Sequence, residues 1–210
     1  MIPGTCIATM MDAAFAAITN TYNTGTTQTE TIPNGAMQMV ATEWGGGGGG
    51  ATGRTAGISG GGGASGAYCT KTFALASADW GKTLTYTVGA LGLGASTGDG
   101  QAGSASTITN NTFATAVAMT ANGGGGGKDG NITGNQGTPG IASGGTTNTS
   151  GNGSGGATPV GRGAPNGGAD VGLETVGTAP GGGGGGGLGG DLSDHAGANG
   201  SPGRVQFAYT

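Results

Sequence analysis

Asp191, Asp194 and His195, within the run DLSDH, form the one tight cluster of metal-capable side chains in the sequence. A calcium site needs more oxygen ligands spaced along a defined loop. A zinc site needs more than one His or Cys. Catalysis fares no better, because His195 is the single histidine and no Ser or Cys nucleophile motif surrounds it. No carboxylate pair stands at a working spacing either. Matches to GxGxxG recur, but none follows a strand and opens a helix, which excludes a dinucleotide site. DLSDH therefore reads as a polar turn exposed at a tip, and no catalytic residue, metal or cofactor is expected. Trp44 and Trp80 could each stack on a sugar. Trp44 ends an extended segment and is better suited to sealing a core, whereas Trp80, between Asp79 and Gly81, reads as an exposed turn residue.

The elements that must position these residues are dominated by glycine, 56 of 210 residues, with runs at Gly45–Gly50, Gly60–Gly63, Gly123–Gly127 and Gly181–Gly187. Such runs carry no side chain to bury, but they let backbones approach more closely than any other residue allows. Apolar residues make up 33% and charged residues 8%, too few apolar groups for a conventional core and too little charge for typical disorder. The six Lys and Arg are isolated, so no basic patch for nucleic acid is present. Cys6 and Cys69 match no metal or redox spacing. No Lys or Arg precedes Arg54, so a secretory start is not expected. No apolar run approaches the roughly 20 residues of a membrane span.

Met1 to Tyr22 is the helical candidate, with Ile7, Met11, Phe15 and Ile18 recurring at helical spacing. Thr21 to Glu30 reads as a linker. Strand patterns follow at Ala36–Trp44, Tyr68–Leu75, Thr83–Val88, Ser104–Thr109 and Thr112–Ala121, and again at Val205–Tyr209. From Gly123 to Gly203 the period-three glycine of collagen lapses, which excludes a collagen helix. A flexible tether would leave the β-patterned tail with nothing to pair to. The remaining reading is a bundle of polyglycine or polyproline-II-type helices bonded backbone to backbone. The expected fold is thus mainly β, with a small β module built by strands from both ends of the glycine-rich region, a helical bundle and a short N-terminal helix. The expected divisions are 1–30 as an attachment segment, 31–122 with 203–210 as the β module, and 123–202 as the bundle.

An IPNGA turn, WGGGGGG, GGGGASGAYCTKTFAL, LTYTVGALGLGA, MTANGGGGG and a closing GSPGRVQFAYT occur in that order. As an ordered set, covering about Thr31 to Thr210, they resemble the glycine-rich domain of bacteriophage tail-fibre and other virion proteins. The design is also similar to that of the glycine-rich tip adhesins of large tailed phages. The resemblance implies a virion protein, made in the host cytoplasm, whose loops between glycine runs touch a host-surface receptor, a glycan or an outer-membrane protein. It supplies no residue motif for that contact. The chain's own polar residues at Trp80, Asn166, Asp170, Glu174, Asp191, Asp194 and His195 are the candidates. Ile7, Met11, Phe15 and Ile18 would hold the other virion proteins, and their stripe would also suit a homotrimer. The rival readings are a non-adhesive capsid or tail decoration and an ice-binding protein. The absence of a regular threonine spacing in the sequence counts against the latter.

Overall fold

A computed structural model of the chain describes residues 15–54, 59–129, 136–153, 176–187 and 194–210. Its regular elements are ten β-strands and one single 3-10 turn at Ser77–Asp79. The strands are β1 (Ile18–Tyr22), β2 (Gln28–Thr31), β3 (Gln38–Trp44), β4 (Tyr68–Ala74), β5 (Thr83–Thr87), β6 (Ser106–Asn110), β7 (Ala118–Ala121), β8 (Ala142–Ser143), β9 (Thr147–Thr149) and β10 (Arg204–Tyr209). They form two five-stranded sheets, ordered β1-β10-β3-β4-β9 and β2-β5-β6-β7-β8, with every pairing antiparallel. C-terminal β10 lies between β1 and β3, pairing Tyr209 with Ile18 on one side and with Met39 on the other.

Alternation decides which face is buried. Met39, Ala41 and Glu43 of β3 turn inward with Cys69 and Phe73 of β4 and with Val205, Phe207 and Tyr209 of β10. Leu84, Tyr86, Ile108 and Met119 answer from the second sheet, so the two inner faces share one apolar core. Phe73 meets Phe113 edge-on at 5.9 Å, and Tyr86 meets Phe207 at 5.8 Å.

Three expectations are corrected by these elements. The N-terminal helix is not formed by its described part: Ile18–Tyr22 is strand β1, because each of its residues pairs with β10. Its helical spacing is a weaker determinant than an open sheet edge to complete. Met1 to Ala14, with Ile7 and Met11, lie outside the described residues. The helical bundle expected over 123–202 is replaced, in the described part of that range, by strands β8 and β9 and by connections that are neither helix nor strand. Thr21 to Glu30, read as linker, likewise gives its first two residues to β1 and its last three to β2.

The glycine segments lead out of the sheets but, among the described residues and apart from the isolated Gly53–His195 bridge, carry no strand pairing of their own. Residues 45–53 run on directly from β3 and are fully buried. Gly46, Gly49 and Thr52 donate N–H to Ser104, Gln101 and Gly98 at 2.8–3.1 Å, while Gly47, Gly50 and Gly53 donate to Ser201, Ala198 and His195 at 2.8 Å. Gly45, Gly48 and Ala51 donate to Ala67, Ala64 and Gly61. Three other segments donate back, as in Gly124 to Gly46, Gly92 to Gly47 and Gly184 to Gly48. The strip is thereby laced to six neighbours, and every buried N–H from 45 to 53 is satisfied by backbone. Such proximity requires glycine: a Cβ on Gly47 would stand 1.9 Å from the carbonyl oxygen of Gly182.

Candidate functional site

The glycine array has two ends. At one, Trp44, Ser106, Ala67 and Gly203 join it to the sheets: Ser106 Oγ donates to the Trp44 carbonyl at 2.6 Å and accepts from Gly89 N–H at 2.8 Å. At the other, the segments emerge as loops that carry much of the chain's scarce charge. Gly53 and His195 exchange two backbone hydrogen bonds, at 2.8 and 3.1 Å, and this bridge places Asp194 and His195 beside Arg54.

Arg54 grips Asp129 with two nitrogens, its Nε donating to Oδ1 at 2.8 Å and a terminal nitrogen to Oδ2. The Asp129 N–H donates to Asp99 Oδ1 at 2.8 Å, and Lys128 Nζ donates to Asp99 Oδ2 at 3.0 Å. Four stretches of sequence thus deliver Arg54, Asp99, Lys128, Asp129 and Asp194 to one pole, two cations against three carboxylates. The hydrogen bonds that Arg54 donates to Asp129, with the charge of Asp129 and of nearby Asp194, strengthen the protonated form of Arg54. The Asp129 N–H and the Lys128 ammonium hold the Asp99 carboxyl below its usual range. The Lys128 and Asp99 side chains are 55% and 49% exposed, so that pair orders the surface more than it stabilises the fold, whereas Arg54 covers an Asp129 side chain that is only 8% exposed. Among the described residues no three His, Cys, Asp or Glu side chains converge as a metal set.

The sequence-derived candidates divide. Asp194 is exposed and His195 half-buried at this pole. Asn166, Asp170, Glu174 and Asp191 lie outside the described residues. Trp80 lies away from the pole, in the turn before β5, half-buried against the core, with its indole N–H donated to the Ala36 carbonyl at 2.9 Å. Trp44 is buried beside Tyr68, at 5.3 Å between centroids, with the Arg204 guanidinium over its ring. Phe15 packs at Gly35, and Ile18 starts β1, so both sit at the end of the sheets remote from the array. Thr210 is there too, its carbonyl accepting from Met37 N–H at 2.8 Å.

Two buried carboxyl groups escape notice in the sequence. Glu30 on β2 accepts from Asn20 Nδ2 (2.8 Å), Tyr22 OH (2.7 Å) and Tyr209 OH (2.9 Å), tying the second sheet to β1 and β10 of the first. Burial, reinforced by the Glu30 charge, raises the pKa of Tyr22 and Tyr209 above the phenol range. Glu43 has no hydrogen-bond partner on either oxygen, and burial pushes its carboxyl up to about 9.

No curated protein matches the chain. A family model described as a glycine-rich domain matches residues 21–210. This span takes in β2 to β10, the end of β1, the glycine array and the charged pole, and the chain belongs to that glycine-rich domain family.

Proposed function

We propose that this chain is a non-enzymatic virion protein of a bacteriophage, a small fibre or fibre tip that displays loops to a host-surface receptor. The observation that carries the reading is polarity. Phe15, Ile18 and Thr210 lie at one end of the molecule, and Arg54, Asp99, Lys128, Asp129 and Asp194 at the other. Between them stands a backbone-bonded glycine array with few side chains of its own. Rigid scaffolds that present polar loops are a common way to build recognition surfaces. In this reading the N-terminal end docks onto other virion proteins, and the charged pole meets a glycan or an outer-membrane protein.

The test is binding of labelled protein to a panel of bacterial strains, with Arg54→Glu and Asp194→Lys beside the parent. Deleting 181–199 would remove buried array segments, so point changes at the pole are the cleaner probe. Strain-selective binding that both variants lose supports adhesion at this pole. Binding to no strain, with phage particles that infect normally without the protein, replaces adhesion with decoration.

A further inference from the structure

Sheet pairing creates a regularity that the sequence hides. The inward residues of the second sheet, Glu30, Leu84, Tyr86, Ile108 and Met119, are buried, so their neighbours point out. Along one rank Thr29, Thr85, Thr109 and Ala118 stand opposite one another across β2, β5, β6 and β7. Along the next, Thr87, Thr107, Thr120 and Ser143 do the same from β5 to β8. Thr31 and Thr83 begin a third. Of these ten outward positions eight are threonine, none is charged and none is aromatic, and every one is exposed or half-exposed.

Elementary chemistry narrows the partner. Nucleic acid demands cations, and protein hot spots favour Trp, Tyr and Arg. A stacked sugar needs an aromatic ring, and this face has none. Instead it repeats a methyl and a hydroxyl about 4.8 Å apart between strands and about 6.7 Å apart along them. The β-branched side chain restricts χ1, so both groups are held in place. An uncharged surface with two fixed repeats is complementary to an uncharged lattice of hydroxyl groups. We infer that the outward face of the second sheet binds ice, its threonine ranks engaging water held at lattice positions. Strand twist of about 20–25° per neighbour limits the planar part to the β5–β6 pair and its flanks. The expected activity is adsorption and inhibition of recrystallisation by a small patch.

The experiment uses the full chain, fluorescently labelled, frozen slowly against a seeded ice surface, with recrystallisation followed in parallel. Variants are Thr85→Lys, Thr109→Lys and, on the outward face of the first sheet, Thr19→Lys. Thermal melts accompany each one, and Thr109, the more exposed, serves if Thr85→Lys fails to fold. The parent and Thr19→Lys should be incorporated into ice, and the second-sheet variants should lose about tenfold or more. Exclusion of the parent from ice, or equal incorporation of all folded variants, overturns the proposal. Because the charged pole is untouched by these changes, cell binding and ice binding are separable in the same set of proteins.

Discussion

Glu43 on β3 stands directly opposite Cys69 on β4, and both are completely buried in the inward face of the first sheet. The carboxyl has no donor on either oxygen. Its burial keeps it protonated to about pH 9, against an ordinary value of 4.5. Unfolding above pH 4.5 therefore releases a proton, and the stability tied to this group falls as pH rises from 4.5 to 9. At one pKa unit per roughly 1.4 kcal/mol, the loss amounts to about 3 kcal/mol at pH 7. Glu43→Gln should be more stable than the parent at pH 7 and above, with the difference shrinking toward pH 5. Urea unfolding of both proteins at pH 5, 7 and 9 checks it, and parallel pH profiles would exclude the effect.

Gly47 tests the glycine array. A Cβ there would meet Gly182 backbone oxygen at 1.9 Å and its carbon at 2.4 Å, and neither is a side chain that can swing away. Moving either segment breaks hydrogen bonds such as Gly47 N–H to Ser201 and Gly184 N–H to Gly48. Gly47→Ala is expected to cost about 2–4 kcal/mol. Gly98 is the control. Nothing lies within 4 Å of its built Cβ, but its φ is +81°, so Gly98→Ala should cost only the left-handed strain of about 1–2 kcal/mol. Equal melting temperatures for the two variants would show that the array tolerates side chains.

How much of this was legible depends on the type of signal. The alternation of Leu84 and Tyr86 with threonines marks β5 because period two appears only when one face is buried. Val205, Phe207 and Tyr209 mark β10 for the same reason. Ile18–Tyr22 misleads, since a helical stripe and a strand edge can share residues and only the partner β10 decides. Glycine runs announce close backbone approach, but with no side chains they cannot say which segments neighbour which. The charged pole depends wholly on those neighbours: Arg54 and Asp129 are 75 positions apart. Glu30 and the threonine ranks were hidden likewise, because their partners come from other strands.

Glu30 should behave as a shared acceptor. Tyr209→Phe removes one of three donors to its carboxylate, leaving Asn20 and Tyr22, and is expected to cost about 1–2 kcal/mol. Glu30→Leu strands two phenols and an amide at once and should cost more. In the double variant the Tyr209 change should add little, because its acceptor is already gone. Strict additivity in a denaturant-based cycle would show that the 2.9 Å contact contributes nothing.

Cys69 reports on the same core from the thiol side. Its Sγ lies 3.3 Å from both the Ser143 carbonyl and Asn148 Oδ1, and burial, followed by the Glu43 charge, pushes its pKa up to about 11. The thiolate is the reactive form, so the folded protein should hold Cys69 inert to maleimide at pH 8, while urea should expose it at the unfolding midpoint. With Cys6→Ser removing the second thiol, one label per chain should appear only on unfolding. Labelling in native buffer at the rate of free cysteine would mean that the β4–β9 edge opens without global unfolding, since Thr147–Thr149 pairs with Tyr68–Thr70 over just three residues. Such local opening would leave the midpoint unchanged while accelerating labelling, which separates a loose edge from a weak core.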